Sequence, residues 1–356
     1  MRKLVLLAVA TATAMVASTC LVGAAAADAP PLPGVTVAAG LNNPRQLTFD
    51  QQGNLYVAEA GSGKLNATDQ SATCGSGPEG PSCAGNTGSI TRIKNPAGSA
   101  RASKVATGLL SFAAPDGTAA TGVDAVTVKQ SGGDIWAIET HGAAALLPKS
   151  VKKQNGQLLK ISHGKVLPQF DVGSYALSHP ANGQEPDSDP YGLARVNSKS
   201  YVADAAANVV YQIEGKRIKT VANFESRPNN PIDGTPTSIV HVGKYFYVGQ
   251  LSSLAPGAAK ITVFNSNWQP VTFYGGLSSV TSIAVAGNGD IYATELFTGE
   301  PFNSPGALVK IPHNGGARVT TTLPFPGGVA VDWRGNVYVS VNSILPGGGA
   351  VIRLPA

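Results

Sequence analysis

Hydrophobic and polar residues alternate with a period of two in short runs along most of the chain, and the runs recur at a regular distance. Alternation of this kind places one face of a β-strand against a core. Self-comparison at a period of about 45 residues finds one unit six times. An apolar strand is followed by a tight turn and then by a second strand opened by an aromatic residue. Leu47–Phe49 with Leu55-Tyr56-Val57-Ala58-Glu59 is the clearest copy. The others centre on Trp136, Tyr201, Tyr247, Tyr292 and Tyr338. Two residues beyond each aromatic stands a mostly smaller side chain: Ala58, Ile138, Ala203, Gly249, Thr294 or Ser340. Blades that pack face to face need large and small residues to alternate on one strand face.

Each pair is followed by a third strand, and five pairs also by a fourth. The sixth copy reaches Ala356 without one, while Val35–Ala38 ahead of the first copy is a strand without a unit. The sequence therefore predicts an all-β fold, a six-bladed β-propeller of four-stranded blades closed by the N-terminal strand pairing into the last blade. Residues 28–356 form one domain in this reading.

Composition agrees with that reading and excludes others. Charged residues make up 13% of the chain, about half the usual ~25%. With 42 Gly and 25 Pro against 43% hydrophobic residues, the chain is turn-rich yet able to bury a core. The N-terminus reads as a secretory signal peptide over residues 1–27. Arg2 and Lys3 precede an apolar, Ala-rich stretch, and Ala24–Ala27 supply the small residues of a cleavage site near Ala27. Its removal lowers the formal charge from +5 to +3, because it carries two cations and no acid. A charge that small argues against nucleic acid as a partner. No apolar run of spanning length follows, so an exported monomer without a membrane span is expected. Cys74 and Cys83, in a Gly/Pro-rich stretch, suit a disulfide that stiffens a loop. Asn66-Ala67-Thr68 matches a glycosylation sequon by pattern.

Loop lengths assign the faces. First-to-second and third-to-fourth turns are mostly short, whereas second-to-third connections such as 60–88, 140–155, 251–258 and 296–306 are long. The 171–190 connection emerges on the same long-loop rim. Long loops on a rigid scaffold are where binding is expected. Two sets of side chains reach this rim. Glu59, Glu139, Asp204, Gln250 and Glu295 end the second strands, with Val341 in the sixth copy. Four acids in register can form a ring holding a divalent cation such as Ca2+ on the axis, with Glu59, Glu139, Asp204 and Glu295 as its ligands. They can serve as acid/base groups, or each can accept backbone N–H groups of its own turn. The second set precedes the inner strands and lines the channel mouth. Arg45 and Asp124 are its ionisable members, Tyr191 joins them, and Asp187 and Asp189 approach the same mouth. A small molecule, a glycan or a protein is the expected partner. Five scattered histidines supply no three-His site, and neither a G-x-S-x-G elbow nor a phosphate loop is present in the sequence.

Several stretches together resemble the ScyD/ScyE family of exported proteins. They are Gly40-Leu-Asn-Asn-Pro44-Arg45, Gly53–Gly61, the Cys74/Cys83 loop followed by Thr87–Arg92, Ala114-Pro115-Asp116-Gly117, Asp187–Gly192, Tyr247–Leu251, Pro305–Val309 and Pro326–Ala330. The resemblance spans nearly the whole chain after residue 27. It implies an NHL-like six-bladed propeller and brings no agreed catalytic set. The repeats also resemble, more distantly, metal-dependent lactonase propellers and strictosidine-synthase-like enzymes. That likeness implies an extracellular small-molecule hydrolase, lyase or isomerase as the alternative to a binding protein. The lactonase metal ligands, Asn or Asp in that family, fall at Arg45, Tyr191, Thr237, Thr281 and Gly327, so those ligands are absent.

Overall fold

A computed structural model describes residues 32–63, 73–77, 80–128, 133–181, 185–224 and 232–355. The signal-peptide reading of residues 1–27 and the sequon at Asn66 lie outside them. The described residues form six antiparallel sheets in sequence order, the six blades of a propeller. Each blade starts at the axis with an inner strand: Pro44–Phe49, Val123–Val128, Pro190–Val196, Pro236–Val242, Val280–Val285 and Val329–Val331. The second strands are Leu55–Glu59, Ile135–Glu139, Lys199–Asp204, Tyr245–Gln250, Ile291–Glu295 and Val337–Val341. In the sixth sheet the outermost position is held by Val35–Leu41, antiparallel to Gly349–Leu354, with Val35 opposite Arg353 and Leu41 opposite Gly349.

The core is divided among the interblade interfaces. Six apolar layers, one between each pair of neighbouring blades, each bury nine to eleven hydrophobic residues among those described. Every layer takes in one repeat aromatic. Tyr56 packs between blades 1 and 2, Trp136 between 2 and 3, and Tyr201 between 3 and 4. Tyr247, Tyr292 and Tyr338 serve the remaining three. Full burial of one such side chain contributes about 1.5–3 kcal/mol, so a layer outweighs any single loop restraint. The small partner position is enforced sterically. A Cβ on Gly249 would lie 2.4 Å from Ser238 Oγ and 2.9 Å from Val280 Cγ1.

Blade 1 departs from the loop reading of residues 60–88. Its third strand runs from Gly80 to Lys94 and its fourth from Arg101 to Ala113, well past the edge of the blade. Thr73–Gly77 pairs onto the extension, with Cys74 opposite Cys83 and joined to it by a disulfide. Glycine, serine and proline hid this hairpin, because its stability comes from cross-strand pairing and the covalent link rather than from strand propensity. The 171–190 connection likewise contains a helix, Val172–Ser178, whose first turn is capped by Asp171 accepting the Ser174 amide at 2.9 Å.

Because Val37, Ala38 and Leu41 belong to the layer between blades 6 and 1, deletion of residues 35–41 is expected to abolish the cooperative thermal transition. Near-UV circular dichroism and a melting curve check this; a wild-type melt of the truncated chain would overturn it.

Candidate functional site: the long-loop rim and the axial mouth

On the rim the chain passes from an outer strand to the next inner strand, and the amides of that entry segment lie beyond the ladder. The acids that end the second strands meet this need. Glu59 Oε2 accepts the amide of Asn42 at 3.0 Å. Glu295 Oε1 accepts that of Ser278 at 2.8 Å. Asp204 Oδ1 accepts the amides of Asp189 at 2.8 Å and of Ala207 at 3.0 Å, while Oδ2 accepts the Ser188 hydroxyl at 2.7 Å. The repeated acid is therefore a clamp between the second strand and the segment entering the blade. Only the Ala207 bond reaches its own turn. Glu59 also accepts the Thr91 hydroxyl at 2.5 Å and pairs with Lys104. In blade 4 the side-chain amide of Gln250 donates to Thr262 Oγ1 at 3.2 Å. In blade 6, where Val341 stands, the Asn342 amide donates to the Pro324 carbonyl at 2.8 Å.

Glu139 is the exception. It is fully buried, and neither carboxyl oxygen has a hydrogen-bond partner among the described residues. The Leu110 amide near it donates instead to Gln154 Oε1 at 3.0 Å. Burial, reinforced by the neighbouring Asp124, pushes the Glu139 carboxyl well above the usual range. The Gly122 amide, seventeen residues before Glu139 like the clamped amides of blades 1 and 5, lies 3.5 Å from Asp124 Oδ2. Asp124 has displaced the clamp.

The mouth of the axis is filled by side chains of the inner strands. Arg45, 1% exposed, reaches from blade 1 to Asp124 of blade 2 (Nε to Oδ1, 3.4 Å) and to the Tyr191 hydroxyl of blade 3 at 3.5 Å, and it donates to the Ala120 carbonyl. Burial alone would lower the Arg45 pKa, but Tyr191, Asp124 and Asp189 together hold it above its ordinary value. Burial lifts Asp124 well above the carboxylate range in spite of Arg45, and pushes Tyr191 up to about 12. Asp189 accepts the Thr140 hydroxyl at 2.7 Å, yet burial still raises it to about 6. For Asp204, burial outweighs three hydrogen bonds and raises it to about 7. Asp187 is half-buried, bonded to the Ser188 amide at 2.7 Å, and faces His141, whose own pKa is lowered by burial. Gln46 crosses the axis from blade 1 and donates to the Thr237 carbonyl of blade 4 at 2.7 Å and the Thr281 carbonyl of blade 5 at 3.2 Å. Sequence reasoning did not single out Gln46. Its signal was being the one amide side chain in a set of hydroxyls, glycines and a single ion pair.

Arg45, Asp124, Asp189 and Tyr191 thus form one buried cluster, and Asp204 adjoins it through the Asp189 amide. Glu59, Gln250 and Glu295 remain in their own blades. No three His, Cys, Asp or Glu side chains group as a metal site among the described residues. Of the four acids expected to share a cation, Glu59, Asp204 and Glu295 each spend oxygens on blade amides.

The loops above the mouth have cores of their own. The blade 1 extension packs Ala84, Leu110 and Phe112 against Leu146 and Val151 of the blade 2 loop. Leu251, Leu254, Leu296, Phe297 and Ile344 join the loops of blades 4, 5 and 6. No helix among the described residues is long and apolar enough to cross a membrane.

No family model and no curated protein matches the chain. Among solved structures it is similar to a proposed oxidoreductase (glucose dehydrogenase) from Thermus thermophilus, with a TM-score of 0.50 and 15% identity over 91% of this chain and 100% of that one. It is also similar to a luciferin-regenerating enzyme, with a TM-score of 0.51 and 10% identity over 92% and 96% of the two chains. At these identities the likeness is one of fold.

Two outcomes follow from the clamp and its exception. Glu59→Leu leaves the Asn42 amide and Thr91 hydroxyl without their acceptor and is expected to cost about 1–3 kcal/mol. Glu139→Leu removes a buried carboxyl with no partner and is expected to leave stability unchanged or raise it. Urea unfolding of the two variants checks the contrast. Asp189 and Asp204 bind protons more tightly in the folded chain than in the unfolded one. Their contribution therefore falls as pH rises from about 4 to about 7. Urea midpoints should drop between pH 5 and pH 8, relative to an Asp189→Asn/Asp204→Asn double variant.

Proposed function

We propose that this chain is an exported binding propeller of the ScyD/ScyE kind, which recognises a small molecule, a glycan or a protein on the long-loop rim. The observation that carries the reading is the construction of that rim. Its loops are held by a disulfide and by two apolar clusters independent of the blade layers. Three of its four repeated acids are engaged in clamping the entry segments. A surface ordered in advance loses less entropy when a partner docks, which is what recognition requires of a loop face. The buried Arg45–Asp124–Tyr191 cluster then serves to set the first three blades around the axis.

A second reading, an extracellular hydrolase, lyase or isomerase of a small molecule, is supported by Asp189 and Asp204. Their carboxyls titrate at about 6 and about 7, in the range of acid/base work at neutral pH. The two neighbours of similar fold, a proposed glucose dehydrogenase and a luciferin-regenerating enzyme, are compatible with it.

The two readings part in one experiment. Purified protein is titrated with panels of lactones, oligosaccharides and peptides, with and without millimolar calcium, while melting temperature and turnover are both followed. The binding reading expects a hit that raises the melting temperature without turnover, independently of calcium. Its amide shifts should map to the rim loops around His141, Asp187 and 251–258. Turnover abolished by Asp189→Asn or Asp204→Asn would establish the enzyme instead. Calcium-dependent stabilisation lost in Glu59→Gln or Glu295→Gln would establish the cation ring.

A further inference from the structure

The face opposite the rim carries a cleft of about 610 Å³ at the junction of blades 6 and 1. Its two long walls are copies of one turn. Asp50-Gln51-Gln52-Gly53-Asn54-Leu55-Tyr56 in blade 1 matches Asp332-Trp333-Arg334-Gly335-Asn336-Val337-Tyr338 in blade 6. The hydrogen bonds match as well. Asp50 Oδ1 accepts the amides of Gln52 and Asn54, both at 2.9 Å, and Oδ2 accepts Asn54 Nδ2 at 2.8 Å and the Tyr56 hydroxyl at 3.3 Å. Asp332 Oδ1 accepts the amides of Arg334 and Asn336, both at 2.9 Å, and Oδ2 accepts Asn336 Nδ2 at 2.7 Å and the Tyr338 hydroxyl at 3.4 Å. Each aspartate thereby spends both carboxyl oxygens within its own turn. The two residues after it are held at the tip of a fixed loop.

Those tip positions carry Gln51 and Gln52 on one wall and Trp333 and Arg334 on the other. Trp333 is 82% exposed, the largest exposure among the hydrophobic side chains of the described residues. An indole that far into water forgoes its own burial, and the fixed turn presents it rather than folding it back. The Arg334 guanidinium lies 4.6 Å from its ring centre and props the plane of the ring. Phe49 lines the cleft on its apolar side, braced edge-on against Tyr338 at 5.3 Å. Lys94 adds a second exposed cation.

We propose that this cleft binds an acidic glycan, with a pyranose ring seated on Trp333. The apolar C–H face of a sugar ring matches an exposed indole, its hydroxyls match the carboxamides of Gln51 and Gln52, and a uronate carboxylate matches Lys94 and Arg334. Asp50 and Asp332 line the cleft too, but their oxygens already accept the hydrogen bonds of their own turns, which leaves Lys94 and Arg334 as the charged groups with donors to offer a ligand. The proposal is independent of the rim reading, because the site lies at the other end of the blades and shares no residue with it.

Tryptophan fluorescence tests it directly. Trp136 lies beneath Arg195 at 3.6 Å and Trp268 is stacked on Phe246 at 4.5 Å, so a change on ligand addition reports chiefly on Trp333. The probes are oligogalacturonate and oligomannuronate, with maltohexaose and cellohexaose as neutral controls. Saturable quenching or a blue shift with an acidic probe is expected. Affinity should fall at least about tenfold in Trp333→Ala, as for an aromatic anchor, and recover most of that loss in Trp333→Tyr. Lys94→Gln and Arg334→Gln should each weaken binding severalfold and flatten its salt dependence. Because Trp333 is exposed, the melting temperature should not move in Trp333→Ala. Absence of binding by both acidic probes would overturn the proposal. So would unchanged affinity in Trp333→Ala, read by calorimetry, or equal affinity for the neutral oligosaccharides.

Discussion

A propeller chain must come back to the axis once per blade, and each time it leaves the sheet ladder with backbone amides that no strand can accept. In blades 1, 3 and 5 a carboxylate at the end of the second strand receives them. The bond joins the second strand to the segment that enters the blade, so it fixes the angle at which the inner strands of these three blades start. A buried amide without an acceptor costs about 1–3 kcal/mol, which is comparable to the burial of one core side chain. The rim loops stand on these entry segments. Their own apolar clusters have meaning only because the segments beneath them are fixed.

Blade 2 shows what happens when that bond is rerouted. Asp124 lies against Arg45 and takes over the approach to the Gly122 amide, and Glu139 is left enclosed without a donor. Buried ion pairs of this kind tend to break even against apolar substitutes. The gain here is one of position. One guanidinium from blade 1 touches a carboxylate and a carbonyl at the start of blade 2 and a phenol of blade 3, and so sets the three blades around a single point.

The fold was legible because its information is periodic. Six aromatics at one register position mark six interblade layers, and each small residue two places later marks where a neighbour approaches closely, as at Gly249. The blade 1 extension was not legible, since Thr73–Gly77 and Gly80–Lys94 are held by pairing and a disulfide that composition does not announce. The acids at Glu59, Asp204 and Glu295 were recognisable as a set, but their direction was not. A carboxylate that faces the axis and one that bends toward an amide seventeen residues earlier look the same in sequence. The cleft beside Trp333 was invisible for another reason. Its walls come from opposite ends of the chain, and only the ring brings Gln51 next to Trp333.

Gln46 gives the ring a property that adjacent contacts alone cannot. Repeat architectures usually transmit stability from each unit to the next, and a closed ring of such units can flex by small rotations shared among all its interfaces. A carboxamide from blade 1 bonded to carbonyls of blades 4 and 5 is a spoke laid across the hub. It joins segments separated by 191 and 235 residues, in blades that share no interface. The diameter of the wheel is therefore held across its hub by a side chain, in addition to the closure of the ring between blades 6 and 1.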